Sequence, residues 1–417
     1  MGTWVRVGAV DVGYEVADRV TRPELVDAVS AHRGQTESLA TGELGNALLS
    51  AVLRQTGPNR DRDRDRDRRG RASLVRGMRG LTRGDGHLGL HFGVSGAIAA
   101  TTLLSQVDPR YQPMVDELDR TALPVIRAAA RRLRTAPDLT VSDYDVVSGA
   151  AGWTAALSLR RPTGEVSDTL RELASGLAAA LDHRDGKPRL RVRAEHLEPV
   201  FAGAAPGGCE DFGLAHGTAG VLTALALLVS DGLVEPTDDV LRGLDWGVRR
   251  LEAVAVGLDW PSMLLHGRHS AATPLGAGSR WGWCYGTPGV AWALWTAGRA
   301  LGVPRIQDLA VDAMRLGGPA SPDSPTLCHG LAGVLLLTDA FARATGDREL
   351  RRRADELVDE VLGHYDPDLP FGFRDVENHG GPVDNPGLLN GAAGVSLALL
   401  TVAGRAPRNW LRLFLLD

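Results

Sequence analysis

Two of the three cysteines stand in the same local context, two residues before a glycine pair. Residues 283–290 read WCYGTPGV and residues 327–334 read LCHGLAGV, so each thiol precedes Gly-x-x-Gly and an apolar run. Thiolates and an imidazole are ligands that zinc prefers, and a set of three leaves one position open, as in catalytic zinc sites. The alternative is a pair of buried cysteines, which behave as small apolar residues, beside a hydrogen-bonded histidine.

The same glycine pattern recurs along the whole chain. Gly-x-x-Gly followed by an apolar run occurs seven times, at intervals of 44 to 69 residues. The first glycines of the seven copies are Gly42, Gly93, Gly149, Gly217, Gly286, Gly330 and Gly391. One such match means little in a glycine-rich chain, but seven matches indicate an internal repeat with loops of variable length.

The apolar runs predict helices that are buried on every side, with the glycines at their starts. Amphipathic stretches lie between them. Residues 347–361 are the clearest, with Asp347 as a possible N-cap, and Thr237 is a possible cap for another. We therefore expect a single all-α domain over residues 1–417, an α/α toroid (barrel) of seven inner and seven outer helices. An open helical solenoid is the alternative.

A closed ring of repeats would bring the seven glycine turns to one end of the barrel. The residues just before the glycines would then line one central cavity. They include His216, Cys284, Tyr285, Cys328 and His329. Side chains that are far apart in the sequence would meet there, which supports a zinc site over a chance repetition.

One segment does not follow the repeat pattern. Residues 60–69 read RDRDRDRDRR, a low-complexity tract of alternating charge. Such a tract has no apolar side chains to bury, so we expect residues 57–72 to form a mobile charged loop.

Composition excludes several classes of protein. The net charge of the 417-residue chain is -5, which argues against nucleic acid as a partner. No apolar run reaches the roughly 18 residues of a membrane span, and no secretory signal is visible. Three cysteines do not make a disulfide framework. These features predict a cytoplasmic protein.

The motifs resemble those of a known family. WCYGTPGV, LCHGLAGV, LAHGTAGV and YDVVSGAAG are similar to segments of the lanthionine synthetase C-like (LanC) family, the lanthipeptide cyclases, and the resemblance covers nearly the whole chain. It implies an α/α toroid that binds one Zn²⁺ per chain through Cys284, Cys328 and His329. It also implies catalytic roles for His216, Asp145, Arg280 and Tyr285.

The resemblance implies a zinc-dependent Michael-type addition. A cysteine of a dehydrated precursor peptide, composed of leader and core, would add to dehydroalanine or dehydrobutyrine and form a (methyl)lanthionine thioether ring. His216 would be the general acid, Asp145 would orient it, and Arg280 would stabilise the enolate. A dehydratase and an exporter are the further partners that such a cyclase implies.

Three other functions remain open at this stage. A LanC-like enzyme could add an external thiol such as glutathione, and a zinc-containing protein could bind peptides without catalysis. An α/α-barrel glycosidase or terpenoid cyclase is the third, but the glycosidases need paired carboxylates where this chain has Cys and His.

The remaining chemically capable side chains are predicted to be structural. Cys209, His87 and His91 form this group. His266 and His269 have no evident partner, and we expect Trp281 and Trp283 to pack the cavity wall.

Overall fold

The structure is a computed structural model that describes residues 3–29, 37–55, 60–82, 87–184, 186–267, 272–276, 281–317, 323–376 and 381–417. Within these ranges the α-helices are α1 (Thr3–Val20), α2 (Pro23–Val29), α3 (Glu43–Arg54), α4 (Arg60–Leu81), α5 (Val94–Val107), α6 (Gln112–Thr135), α7 (Val141–Tyr144), α8 (Ala150–Leu157), α9 (Gly164–Leu181), α10 (Pro199–Ala204), α11 (Thr218–Ser230), α12 (Asp238–Val254), α13 (Thr287–Leu301), α14 (Pro304–Leu316), α15 (Leu331–Thr345), α16 (Arg348–Gly363) and α17 (Ala392–Val402). No helix of the described residues is long and apolar enough to cross a membrane.

Short strands and 3₁₀ turns complete the described secondary structure. The strands are β1 (His183–Arg184), β2 (Lys187–Pro188), β3 (Cys209–Asp211), β4 (Met263–Leu265) and β5 (Thr273–Leu275). β1 pairs with β2, and β3, β4 and β5 form a second antiparallel sheet with β4 in the middle. The 3₁₀ turns span Pro109–Tyr111, Ala194–His196 and Asn409–Phe414.

Each of the seven apolar runs is a helix that begins directly after the first glycine of its motif. These helices are α3, α5, α8, α11, α13, α15 and α17, and their N-cap residues are the seven first glycines. Every residue of α17 is buried, as the sequence predicts for an inner helix.

The second glycine of the motif is required by the chain that precedes the helix. A Cβ atom at Gly220 would lie 2.2 Å from the carbonyl oxygen of Leu214, and one at Gly394 would lie 2.0 Å from that of Leu388. In both cases the obstructing carbonyl belongs to the residue six positions earlier. The same relation holds at Gly45, Gly96 and Gly289. The loop that precedes the helix thus packs against the first turn of that helix. Only a residue without a Cβ atom leaves room for this contact.

The amphipathic helices match the sequence in periodicity and in their caps. In α16 the buried side chains are Leu350, Ala354, Leu357, Val358 and Val361. Asp347 Oδ1 accepts a hydrogen bond from the backbone N–H of Leu350 at 2.9 Å. Thr237 Oγ1 accepts one from Val240 at the start of α12. Both predicted N-caps are therefore confirmed.

The chain divides into two compact units. The first comprises Met1–Asp119 and Ser321–Asp417, and the second Arg120–Ala320. In the first unit α3 packs on α4, α15 on α16 and α1 on α17; in the second α13 packs on α14, α11 on α13 and α9 on α12. The expectation of one single domain stays a prediction.

The charged tract is helical, so the predicted loop is wrong for residues 60–72; residues 57–59 lie outside the described ranges. Side chains three and four positions apart on a helix are neighbours, and here Asp65 pairs with both Arg68 and Arg69. The side chain of Arg66 is 6% exposed and bonds Asp18 of α1 at 3.0 Å. Charged side chains from Asp65 onward therefore form ion pairs along the helix, and Arg66 pairs with the neighbouring helix α1.

Candidate functional site

Main-chain hydrogen bonds connect the glycine turns of successive repeats in the second unit. The N–H of Val146 donates to the carbonyl of Ala215 at 3.0 Å, and the N–H of Ala215 donates to that of Cys284 at 3.3 Å. Each of these residues lies two or three positions before the first glycine of its repeat. The bonds hold three turns side by side, so that the neighbouring His216 and Tyr285 emerge close to one another.

The first unit repeats the arrangement with its own turns. The N–H of Cys328 donates to the carbonyl of Leu389 at 3.0 Å, and the N–H of Leu389 donates to Ala40 at 2.9 Å. The N–H of Ala40 donates in turn to His91 at 3.3 Å. All four residues stand two positions before the first glycine of their repeat. Cys284 and Cys328 both occupy this position.

His216 and Asp145 form a hydrogen-bonded pair. His216 Nδ1 lies 2.7 Å from Asp145 Oδ2, and the side chains are 37% and 3% exposed. Asp145 is itself fixed, because its Oδ1 accepts from the backbone N–H groups of Ser148 and Gly149. Burial lowers the pKa of His216, but the hydrogen bond and the charge of Asp145 outweigh it and raise the pKa above its ordinary value. The imidazole is therefore oriented by Nδ1 and keeps Nε2 turned away from Asp145.

Tyr285 is held by an acid that the sequence interpretation missed. The Tyr285 hydroxyl donates to Asp211 Oδ2 at 2.7 Å, and Asp211 Oδ1 accepts from the N–H of Gly213. Burial raises the pKa of Asp211 to about 6, although the bond from Tyr285 opposes the rise. The rings of Tyr285 and His216 have centroids 6.4 Å apart. The position of Asp211, five residues before His216 in CEDFGLAHG, is the one signal in the sequence.

A cavity of about 270 Å³ adjoins these side chains. Its polar part comprises His216, Asp211 and Tyr285 together with His196 and Glu198. Its apolar wall includes Val192, Leu197, Phe201 and Met263. The arrangement is that of a small binding site, with an apolar lining and a few convergent polar groups.

Cys284, Cys328 and His329 form the one group of at least three Cys, His or carboxylate residues in the described ranges that could hold a metal ion. A possible ligand atom from each lies within 4.8 Å of those of the other two. Ligands of a tetrahedral zinc with these bond lengths are roughly 3.5–3.8 Å apart. Two sulfurs and an imidazole within 4.8 Å of one another are a donor set of the type that Zn²⁺ prefers.

Asp375 is a second acid that carries no recognisable motif. Its Oδ1 lies 3.8 Å from His329 Nε2, and its side chain is 6% exposed. A metal-ligating imidazole commonly donates its other ring nitrogen to a carboxylate, and Asp375 is the acid near His329 Nε2, at a distance longer than a hydrogen bond.

The other sequence candidates are placed away from this chemistry or outside the described ranges. Arg280 and His269 lie outside them. Cys209 borders the cavity, but its backbone belongs to β3 and burial raises the pKa of its thiol to about 12. His266 has a partner after all, because its Nε2 lies 2.7 Å from Glu210 Oε1.

Three remaining candidates are consistent with the structural roles predicted for them. His87 Nδ1 accepts a hydrogen bond from the backbone N–H of Gly89 at 3.0 Å. His91 and Trp283 are fully buried.

Comparisons with known proteins identify the family and the fold of the chain. Nisin biosynthesis protein NisC from Lactococcus lactis subsp. lactis is 25% identical over 299 residues, 68% of this chain and 70% of the relative. The solved structure of nisin cyclase matches with a TM-score of 0.78 and 20% identity, over 97% of this chain and 98% of its own. That likeness confirms the predicted all-α, α/α-toroid fold. Residues 35–415 match the family model described as lanthionine synthetase C-like protein, and the chain belongs to that family.

Proposed function

We propose that the protein is a zinc-dependent lanthipeptide cyclase. It would add cysteine thiols of a dehydrated precursor peptide to dehydroalanine or dehydrobutyrine and form (methyl)lanthionine rings. The observation that carries the proposal is the Cys284, Cys328 and His329 group, whose possible ligand atoms lie within 4.8 Å of one another. Membership of the lanthionine synthetase C-like family and the likeness to nisin biosynthesis protein NisC support it.

The three metal-capable residues would hold one Zn²⁺ and leave a fourth position for the substrate. A free thiol has a pKa of about 8.5 and is only a few per cent thiolate at neutral pH. Zinc bound here would supply the Lewis acidity that keeps the substrate sulfur deprotonated.

The pair of His216 and Asp145 supplies the proton that the addition requires. A carbon–sulfur bond forms at the β-carbon of the dehydro residue, and the electrons of the double bond move onto the adjacent carbonyl as an enolate. The α-carbon must then gain a proton, and His216 Nε2 is the candidate donor. Asp145 holds Nδ1 at 2.7 Å, and the raised pKa of His216 keeps a larger fraction of the imidazole protonated.

The neighbouring groups position the substrate and its developing charge. Tyr285 is held rigidly by Asp211 at the edge of the cavity, where its ring would limit how the dehydro residue enters. The apolar wall of the cavity would exclude water from the enolate. Arg280 is proposed to stabilise that enolate, a role that comes from the family resemblance.

The peptide substrate also defines the partners. We propose a precursor peptide with leader and core, whose serines and threonines are dehydrated by a separate dehydratase. An exporter for the finished peptide completes the proposed set.

A thiol count on a dehydrated peptide tests the proposal. Cyclisation leaves the mass of the peptide unchanged and consumes one thiol per ring, so each ring removes one N-ethylmaleimide adduct from the mass spectrum. We expect adducts to disappear with the wild-type protein and to persist with Cys328→Ala. If the thiol count never falls while added glutathione becomes attached, the enzyme adds external thiols and the cyclase proposal is wrong.

A further inference from the structure

A second cleft lies in the Arg120–Ala320 unit and is strongly basic. It has a volume of about 400 Å³. Five cationic side chains line it, against two acidic ones, Asp138 and Glu195; the cations are Arg184, Lys187, Arg189, Arg191 and Arg193. This local excess of three positive charges stands in a chain whose net charge is -5. The cleft is therefore more basic than the chain as a whole.

Two of its arginines are held together without a carboxylate. Arg184 Nη1 and Arg189 Nη2 both donate to the carbonyl of Ala136, at 2.6 and 2.9 Å. Arg189 Nη1 also donates to Ala179 near the end of α9. Burial, and then the charge of Arg184, lower the pKa of Arg189. Within the described ranges neither guanidinium forms an ion pair with an acid, so an anion entering the cleft would relieve their repulsion.

One extended segment separates this cleft from the cavity beside His216. Arg191 and Arg193 line the basic cleft, whereas Val192 between them lines the cavity. Side chains alternate in this way along an extended chain. Val192 is fixed by two backbone hydrogen bonds to Cys209, at 2.8 and 2.9 Å. A peptide that crosses the edge of this segment could thus occupy both sites at once.

We propose that the basic cleft binds an acidic segment of the same peptide whose thiol and dehydro residue occupy the cavity at His216. The inference rests on the proposed function, because it assigns the cleft to that substrate. Carboxylates match arginine forks in geometry and charge. A peptide is favoured over nucleic acid because the chain as a whole carries a net charge of -5. The cleft would thereby hold the peptide while successive rings form.

Binding of a labelled acidic peptide tests the cleft separately from catalysis. The probe is a fluorescein-labelled decapeptide of alternating Glu and Ser, and its control carries Gln in place of Glu. We expect the Glu peptide to bind in fluorescence anisotropy, more weakly at high salt, and the Gln peptide not to bind. The charge-reversed double variant Lys187→Glu with Arg193→Glu should weaken binding by about tenfold or more.

The matched control reverses two exposed arginines outside the cleft lining. Arg242→Glu with Arg249→Glu changes the net charge equally, and these side chains are 65% and 69% exposed. It should bind the probe as the wild type does. Equal loss in both double variants would overturn the proposal, because the effect would then be one of overall charge. Tighter binding of a single-stranded oligonucleotide or of inorganic phosphate than of the Glu peptide would also overturn it.

Cyclisation assays separate this inference from the proposed function. The cleft double variant should cyclise a short dehydrated peptide without acidic residues at the wild-type rate. With a peptide that carries an acidic segment, its KM should rise at unchanged kcat. His216→Asn should bind the Glu peptide normally. Normal probe binding to the cleft together with no cyclisation by the wild type would mean that the proposed function has failed and the cleft has not.

Discussion

At the scale of single residues, the proton chemistry depends on which nitrogen of His216 faces Asp145. Nδ1 is engaged at 2.7 Å, and Asp145 is held by two backbone N–H groups of its own turn. The imidazole is therefore oriented by a rigid acceptor, and Nε2 carries any proton that is transferred. This arrangement separates the acid from the metal-capable group in function, so the two can be tested independently.

His216→Asn should abolish most of the activity and none of the metal binding. We expect the ring-forming rate to fall by ~10²–10⁴-fold, the usual contribution of one general acid or base. Asp145→Asn should cause a smaller loss, because it orients the imidazole without touching the reacting atoms. Zinc content and cyclisation rate are measured on the same preparation. Loss of metal together with activity in His216→Asn would show that His216 is a ligand and not the acid.

The pH dependence should report the coupling between His216 and Asp145. A raised pKa keeps His216 protonated up to a higher pH, so the rate should fall as pH rises through that pKa. Asp145→Asn removes the largest of the influences that raise the pKa of His216 and leaves the burial that lowers it, while the charge of Asp211 still raises it. The falling limb of the pH–rate profile should therefore move to lower pH in Asp145→Asn. A profile that falls at the same pH in both proteins would rule out His216 as the titrating acid.

At the scale of elements, the glycine turns explain why the repeat can be read from the sequence. The turn before α11 places the carbonyl of Leu214 where a Cβ at Gly220 would stand, and the same geometry recurs in other repeats. A local packing requirement thus fixes two glycines per helix. The charged helix α4 has no comparable requirement, because the described side chains of its charged tract, from Asp65 onward, are positioned by ion pairs. An alternating Arg-Asp tract looks the same in a solvated loop and in such a helix.

Two arginines of α4 should differ sharply in their contribution to stability. Arg66 is 6% exposed, bonds Asp18 and lies over the ring of Tyr14, whereas Arg68 is 82% exposed. Arg66→Ala should lower the free energy of unfolding by about 1–3 kcal/mol, because Asp18 loses its charged partner and α1 loses packing. Arg68→Ala should change it by no more than about 0.5 kcal/mol.

Urea unfolding followed by circular dichroism gives both values. Equal, small effects of the two substitutions would mean that the tract does not dock on α1.

At the scale of the whole molecule, the sequence predicted the fold more completely than it predicted the residues of the site. Seven repeats determined the helix pattern, and two cysteine motifs singled out the metal-capable residues. Asp211 and Asp375 were missed, because an acid that supports a tyrosine or a histidine has no fixed spacing to either. The basic cleft was missed although its five cationic side chains all lie between Arg184 and Arg193, because this local run does not show that the carbonyls of Ala136 and Ala179 hold Arg184 and Arg189 in place.

Zinc should stabilise the folded chain, because its proposed ligands come from different repeats and are brought together only in the native state. A ligand that binds only the folded protein stabilises it by mass action, by about 4 kcal/mol at a thousand times its Kd. Removal of zinc by a chelator should lower the Tm of the wild type by several degrees, on the order of 5–10 °C. Elemental analysis should find about one zinc per chain before treatment and none after it.

The two cysteine variants decide whether that shift comes from the proposed site. Cys328→Ala should contain little zinc, and its Tm should not respond to the chelator. Cys209→Ala is the matched control, since Cys209 is a buried cysteine in β3 with a thiol pKa of about 12. Its chelator-induced Tm shift should equal that of the wild type, because Cys209 is not a proposed ligand. The shift is compared, and not the absolute Tm, because only the shift reports the metal. If Cys209→Ala loses the shift and Cys328→Ala keeps it, the metal is bound elsewhere and the proposed ligand set is wrong.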